Sequence, residues 1–266
     1  MTLEDLLDDS ADTGEGPRGD LQVVARVAAV LRLFSPTQPT IGLSEASSGL
    51  GLQKSTAHRY LTSLENHGFL RRVEGARFAL GPLLDQLGAL TVSRWQVMEA
   101  AAPIMRELAA TTRQTVVLSV WGGMGPVVVR VTEDDSQIVH ISVRVGSTLP
   151  YDSAQGTMFL AHLTDRRVSE NLAATLSPER LAALRENLAA VREAGISIDE
   201  HVVAGVRALA VPVFDRDGRI TAVMAVVGTS NSVPADPEGG VAQGLIAAGR
   251  LLERRLQGGD GAHDPE

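Results

Sequence analysis

The chain has 266 residues and a formal net charge of −8, with 44% apolar, 21% charged and only 3% aromatic residues. That length supports one large or two ordinary domains with ample core, and an overall acidic balance argues against a uniformly basic nucleic-acid binder. Cysteine is absent, which excludes disulfide scaffolds, thiolate zinc sites and thiol nucleophiles.

Residues 1–19 carry Glu4, Asp5, Asp8, Asp9, Asp12 and Glu15 against a single Arg18, and too few apolar side chains to offset ordering entropy, so a disordered acidic arm is expected. Arg18 is also the first basic residue, so no charged n-region precedes an apolar h-region. The longest apolar runs, such as Ala222–Val227, are strand-sized, whereas a membrane span takes about 18 residues or more. A soluble, cytoplasmic protein with no membrane partner is expected.

From Leu21 the pattern turns helical, with Val24, Val27, Ala28, Leu31 and Phe34 on one stripe. Ser35, Pro36 and Pro39 end that helix. Leu43–Ser48 suits a short second helix, and Gly49–Gly51 a turn. A third helix is expected over about Gln53–His67, with Ser55 or Gln53 near its cap and Gly68 just past its end. Phe69–Val73 and Ala76–Leu80 read as a hairpin turning at Glu74-Gly75. Three helices followed by a hairpin is the layout of a winged helix-turn-helix, assigned here to residues 20–81.

This segment is not acidic. Residues 20–90 hold seven basic residues against five acids, +2, while residues 1–19 hold −5. The chain's only lysine, Lys54, opens the third helix. Along that helix Ala57, Leu61 and Leu64 would pack inward, leaving Ser55, His58, Arg59 and Thr62 on the other side with no carboxylate until Glu65. Hydrogen-bond donors and positive charge without an anion are what a helix lying in the major groove requires. Arg71, Arg72 and Arg77 on the hairpin suit contacts to the phosphate backbone, which set register without reading sequence.

Residues 82–95 read as a linker helix. Beyond it come a helix at about Gln96–Thr112 and strand-like runs at Thr115–Trp121, Val127–Thr132 and Ile138–Val145. Ala154–Leu163, Asp165–Leu176 and Pro178–Ala194 are helical in pattern, and Ile196–Ile198, Ala208–Phe214 and Ile220–Gly228 return to strand. A last helix spans about Val241–Leu256, and residues 258–266 repeat the composition of the first arm, as a second disordered tail. Strands, helices and strands again suggest an α+β domain over 96–257, with helices against one antiparallel sheet.

No catalytic or metal constellation stands out. The histidines, His58, His67, His140, His162, His201 and His263, make no HExxH or other paired spacing. There is no GxSxG elbow and no phosphate-binding loop, and no cofactor is implied. Gly122–Gly125 is followed by Pro126 and another strand, so it reads as a hairpin turn.

Leu50-Gly-Leu-Gln-Lys-Ser-Thr-Ala-His-Arg-Tyr-Leu61, Leu64-Glu-Asn-His-Gly-Phe-Leu70 and Arg77-Phe-Ala-Leu-Gly81 together resemble the IclR (isocitrate lyase regulator) family of bacterial transcription factors. Gly146-Ser-Thr-Leu-Pro150, Ser153-Ala-Gln-Gly156, Gly205–Phe214 and Ala222–Gly228 extend the resemblance to about residues 20–256. It implies an α+β chain with an N-terminal winged helix-turn-helix, a linker helix and a C-terminal GAF-like effector-binding domain. Its partners would be double-stranded operator DNA, a small-molecule effector, and further copies of itself in a homodimer or homotetramer.

On DNA the resemblance implies Ser44, Gln53, Lys54, Ser55, Thr56, His58 and Arg59, with Arg71, Arg72 and Arg77 on phosphates. For the effector it implies Ile138, Leu149, Ser153, Ala154, Gly156, Asp199, Val206, Ala208, Val226 and Gly228. The sequence departs from the family at Tyr151-Asp152, where a histidine is common, and at Gly156-Thr157, where a Gly-Lys pair is common. Asp152 brings a negative charge to the pocket mouth and counts against the usual organic-acid effector. The expected function is a ligand-responsive regulator, a repressor, on a pseudo-palindromic operator. The alternatives are a small-molecule enzyme and a protein-interaction module using the C-terminal domain.

Overall fold

The computed structural model describes residues 21–90, 92–134, 141–164, 168, 177–200 and 203–258. The arm at 1–19, the tail from 259, the helix expected at Asp165–Leu176 (Val168 apart) and Ile138 lie outside the described residues. The chain divides into two compact units, up to Thr91 and from Val92.

In the first unit α1 (Gln22–Arg32) packs through Val30, α2 (Leu43–Gly49) through Ala46, and α3 (Lys54–Asn66) through Ala57, Leu61 and Leu64. Of the expected α1 stripe, Val27, Leu31 and Phe34 pack against the core. Val24 is exposed together with Leu21 and Val23, and Val30, off the stripe, is fully buried. Strands β2 (Leu70–Val73) and β3 (Arg77–Leu80) form the wing, and β1 (Thr40–Ile41) pairs with β3 through Ile41↔Phe78. With only two residues, β1 carries no alternation to detect. Helix α4 (Pro82–Ala89) follows, with Pro82 in its first turn, where a missing N–H costs nothing.

The second unit opens with α5 (Val92–Thr112), four residues earlier than the pattern suggested. Its five-stranded antiparallel sheet runs β5 (Pro126–Thr132), β4 (Thr115–Trp121), β8 (Ile220–Thr229), β7 (Val206–Phe214), β6 (Ser197–Asp199). Helices cover both faces rather than one. Helix α5 and α8 (Gly240–Gly258) bury Val116, Leu118, Leu209, Met224 and Val226. Helix α6 (Ala154–His162), backed by α7 (Pro178–Ala194), packs on Ala210, Val223 and Ala225. Double coverage explains why β4 is buried at every position from Thr115 to Val120 and why β8 carries the unbroken apolar run Ala222–Val227.

Residues 141–145 are not a strand, contrary to expectation. The chain here crosses the sheet edge irregularly: Thr115 Oγ1 donates to the Ile141 carbonyl at 2.6 Å, and residues 146–149 exchange backbone hydrogen bonds with Pro126 and Val128 of β5. No described helix is long and apolar enough to cross a membrane.

Candidate nucleic-acid interface and ligand site

Helix α3 starts after Gln53, whose extended backbone (φ −61°, ψ 144°) makes it the N-cap residue. The three inward residues fix its rotation, and the opposite side exposes Lys54, Ser55, His58 and Arg59. Gln53 and Ser44 of α2 are exposed as well, and Thr56 is half-buried. Thr62 departs from expectation, because its hydroxyl is buried and has no hydrogen-bond partner among the described residues. At 100° per residue Glu65 falls on the same stripe as Lys54 and His58, so this face does carry one carboxylate.

That carboxylate is neutralised by the wing. Arg72 donates to Glu65 through Nε at 3.2 Å and Nη2 at 3.0 Å, and its guanidinium lies 4.9 Å from the Phe78 ring centre. Hydrogen bonding from Arg72 lowers the Glu65 pKa, and the same bond raises that of Arg72. Arg77 is tied in a similar way, to Glu45 of α2 at 2.8 Å and to the Thr40 carbonyl at 2.7 Å. The wing therefore does not present three free arginines. Two lock β2 and β3 to the helices, and Arg71 alone of the three is exposed with no partner among the described residues.

The Glu45 tie gives the first unit an acid-sensitive joint. Hydrogen bonds from Arg77 and from the Gly42 amide lower the Glu45 pKa below its ordinary 4.5. A depressed folded-state pKa contributes stability that is complete above the unfolded value and is lost as pH falls through the folded one. Denaturant titrations between pH 7 and pH 3 are therefore expected to show a stability loss below pH 4.5 that is smaller in Arg77→Ala; parallel pH profiles would refute the role of this pair.

The second site lies on the face that α6 covers. Ser153 caps α6, its Oγ accepting from the Gly156 amide at 3.1 Å and donating to the Pro150 carbonyl at 2.7 Å. A Cβ on Gly156 would stand 2.4 Å from the Pro150 and Tyr151 carbonyl oxygens, so glycine here permits the close approach of loop and helix. Gln155 Nε2 reaches Ser119 Oγ of β4 at 2.8 Å, both buried. Register places Asp199 opposite Ala208, and Ala208 opposite Val227, all facing the α6 side. Leu149, Val206 and Ala208 gather with Val117, Val227, Ile141 and Val143.

Two expected lining residues are misplaced. Val226 is fully buried against α5 and α8, on the opposite face. Gly228 shares that face, where a Cβ would collide with Gln114, Ser232 and Val233. Successive strand residues alternate faces, so the β8 residue on the α6 side is Val227. Sequence reading missed Val227, Ser119, Gln155, Glu45 and Glu65. Only Val227 left a signal, as the neighbour of a residue chosen one position off.

Similarity to known proteins agrees with this layout. The IclR helix-turn-helix domain description matches residues 23–74, and the C-terminal domain of bacterial IclR transcriptional regulators matches residues 89–254. The HTH-type transcriptional regulator XynR of Escherichia coli is 29% identical over 89% of this chain and 97% of its own length. The transcriptional repressor IclR of the same organism is 28% identical over 82% and 84%. An IclR-type transcriptional regulator from Silicibacter sp. TM1040 superposes with a TM-score of 0.76 at 27% identity, covering 92% of this chain and all of that one.

Proposed function

Because this chain belongs to the IclR family of bacterial transcriptional regulators, and is a DNA-binding regulator rather than an enzyme, we propose that it represses transcription from a pseudo-palindromic operator until a small effector enters the α6 site. The observation that carries the operator reading is the exposed stripe of Lys54, Ser55, His58 and Arg59, whose one acid, Glu65, is covered by Arg72. Arg59 reads base edges and Lys54 and Arg71 grip phosphates, with Ser44, Gln53 and Thr56 as neighbouring polar contacts. Repression is supported by the similarity to a repressor, and cytoplasmic action follows from where bacterial DNA lies.

Exposed apolar residues at both ends of the first unit, Leu21, Val23 and Val24 on one side of the sequence and Leu87 and Leu90 on the other, support assembly into a dimer or tetramer, since such residues gain by mutual burial. A dimer places two α3 helices on half-sites about 34–36 Å apart. Footprinting of the DNA upstream of its own gene is expected to give two protected patches one helical turn, or a multiple of it, apart. A single continuous patch of arbitrary position would contradict the dimeric reading.

In this reading Arg72 acts by masking Glu65. Arg72→Ala weakens operator binding several-fold by baring a carboxylate to the phosphates, and Glu65→Gln in the same chain restores most of the loss. If Arg72 instead gripped phosphate, the second substitution would restore nothing, and the salt slope would fall by about one.

A further inference from the structure

In the first unit the described cations and acids are unequally matched. Glu65 and Glu45 are each taken up by an arginine, Arg72 at 3.0 Å and Arg77 at 2.8 Å. The other described acids are Glu74, at the wing tip, and Asp85, on α4. Lys54 and Arg59 on α3 and Arg71 on the wing are exposed and make no ion pair among the described residues. The acid on the DNA-facing side of α3 is thus neutralised within the fold, and its cations are left unopposed. Such a surface attracts any anionic chain within reach.

The densest run of negative charge in the sequence is joined to this same unit. Residues 1–19 hold Glu4, Asp5, Asp8, Asp9, Asp12 and Glu15 against Arg18 alone, −5, just ahead of Leu21 and α1. A chain spans at most about 3.3–3.6 Å per residue. Asp8, 13 positions before Leu21, can therefore lie up to about 45 Å from it, whereas a unit of about 70 residues has a radius of gyration of about 11 Å. The arm is long enough to bring its acids to any face of the unit. Residues 91–258 hold 16 basic residues against 18 acids, −2, and offer it no comparable attraction. Tethering also makes the encounter intramolecular, at an effective concentration of about millimolar for a short tether.

We propose that residues 1–19 act as an internal competitor for DNA, their carboxylates resting on Lys54, Arg59 and Arg71 until a duplex displaces them. This inference rests on the exposed face of α3 being the DNA surface. Displacement costs every duplex the same factor, so the arm lowers affinity for operator and random DNA alike and leaves their ratio unchanged. Its practical effect is to keep the regulator off sequences that it holds weakly. Contact with the arm, like contact with phosphate, weakens as salt rises, so the arm also flattens the salt dependence of DNA binding.

Lys54 makes the contact directly readable, because it is the chain's only lysine. Zero-length carbodiimide coupling of the full chain without DNA is expected to join an acid of the tryptic peptide 1–18 to Lys54. Adding a random-sequence duplex should abolish that product. A full-length chain carrying Glu4→Gln, Asp5→Asn, Asp8→Asn, Asp9→Asn, Asp12→Asn and Glu15→Gln should bind the same duplex several-fold more tightly at about 50 mM salt. The gain should close as the screening length falls from about 10 Å at 0.1 M to about 3 Å at 1 M, and an unchanged melting temperature reports that the variant folds.

A gain without the cross-link, or coupling of Lys54 to the acids of residues 259–266 in place of the arm, overturns the contact. Unchanged affinity in the neutralised chain overturns the competition while leaving the DNA surface in place. Failure of both chains to bind any duplex removes the DNA reading of α3, and the competition with it.

Discussion

Arg59→Ala is expected to weaken operator binding by about 1–3 kcal/mol, roughly five- to 150-fold, the range over which one bidentate arginine–guanine contact discriminates. Its melting temperature should match that of the unsubstituted chain, because Arg59 is exposed and takes no part in the core of Val30, Leu61, Leu64 and Phe78. Arg59→Lys should fall nearly as far, since a lysine keeps the charge and loses the planar fork. Lys54→Ala should behave differently, weakening all duplexes alike and reducing the salt slope by about one phosphate. Fluorescence anisotropy at two salt concentrations separates the two patterns. An Arg59→Ala chain that binds within two-fold of the original would place the base-reading surface elsewhere.

Ala208→Leu and Val226→Ala are expected to fail in opposite ways, although the two residues sit on adjacent strands. Ala208 faces α6 and the cluster of Val117, Val227 and Leu149, so a larger side chain intrudes on the proposed effector space. In a fusion of the regulator's promoter to a reporter, this variant should stay repressed under conditions that induce the original. Val226 faces α5 and α8 and is fully buried, so its truncation removes core. The expected cost is about 1.5–3 kcal/mol, seen as a fall of several degrees in melting temperature, with induction retained where the protein remains folded. The reverse pattern would mean that β8 lies one residue out of the register described, because a single-residue slip exchanges the faces of every side chain.

The features legible from sequence are those whose periodicity has one interpretation. Ala57, Leu61 and Leu64 mark one face of α3, so the opposite face is fixed by the same three residues. The hairpin was readable because Glu74-Gly75 interrupts two strand-like runs. What escaped depends on contacts between distant residues. Nothing in the order of residues pairs Arg72 with Glu65 or Arg77 with Glu45, seven and 32 positions away, so wing arginines that hold the domain together look like arginines free for phosphate.

The β8 register was hidden for a different reason. A strand buried on both faces is apolar over a continuous run, here Ala222–Val227, and alternation, the signal that assigns faces, disappears. Residues 141–145 look extended by composition but find no strand partner, since β5 engages the following residues, 146–149. Helix α6 carries the least signal. It is buried on all sides from Ala154 to Ala161, so Thr157 and Gln155 read as ordinary helix residues until the sheet beneath them is in place.

The most direct test is the affinity of the intact chain for a duplex from upstream of its own gene, measured beside a scrambled duplex of equal length at about physiological salt. The expected result is saturable binding in the range of about 10⁻⁸–10⁻¹¹ M, at least about 10³-fold tighter than to the scrambled sequence. Equal affinity for both duplexes would contradict sequence-specific reading by Lys54, Ser55, His58 and Arg59, and with it the function assigned to the exposed face of α3.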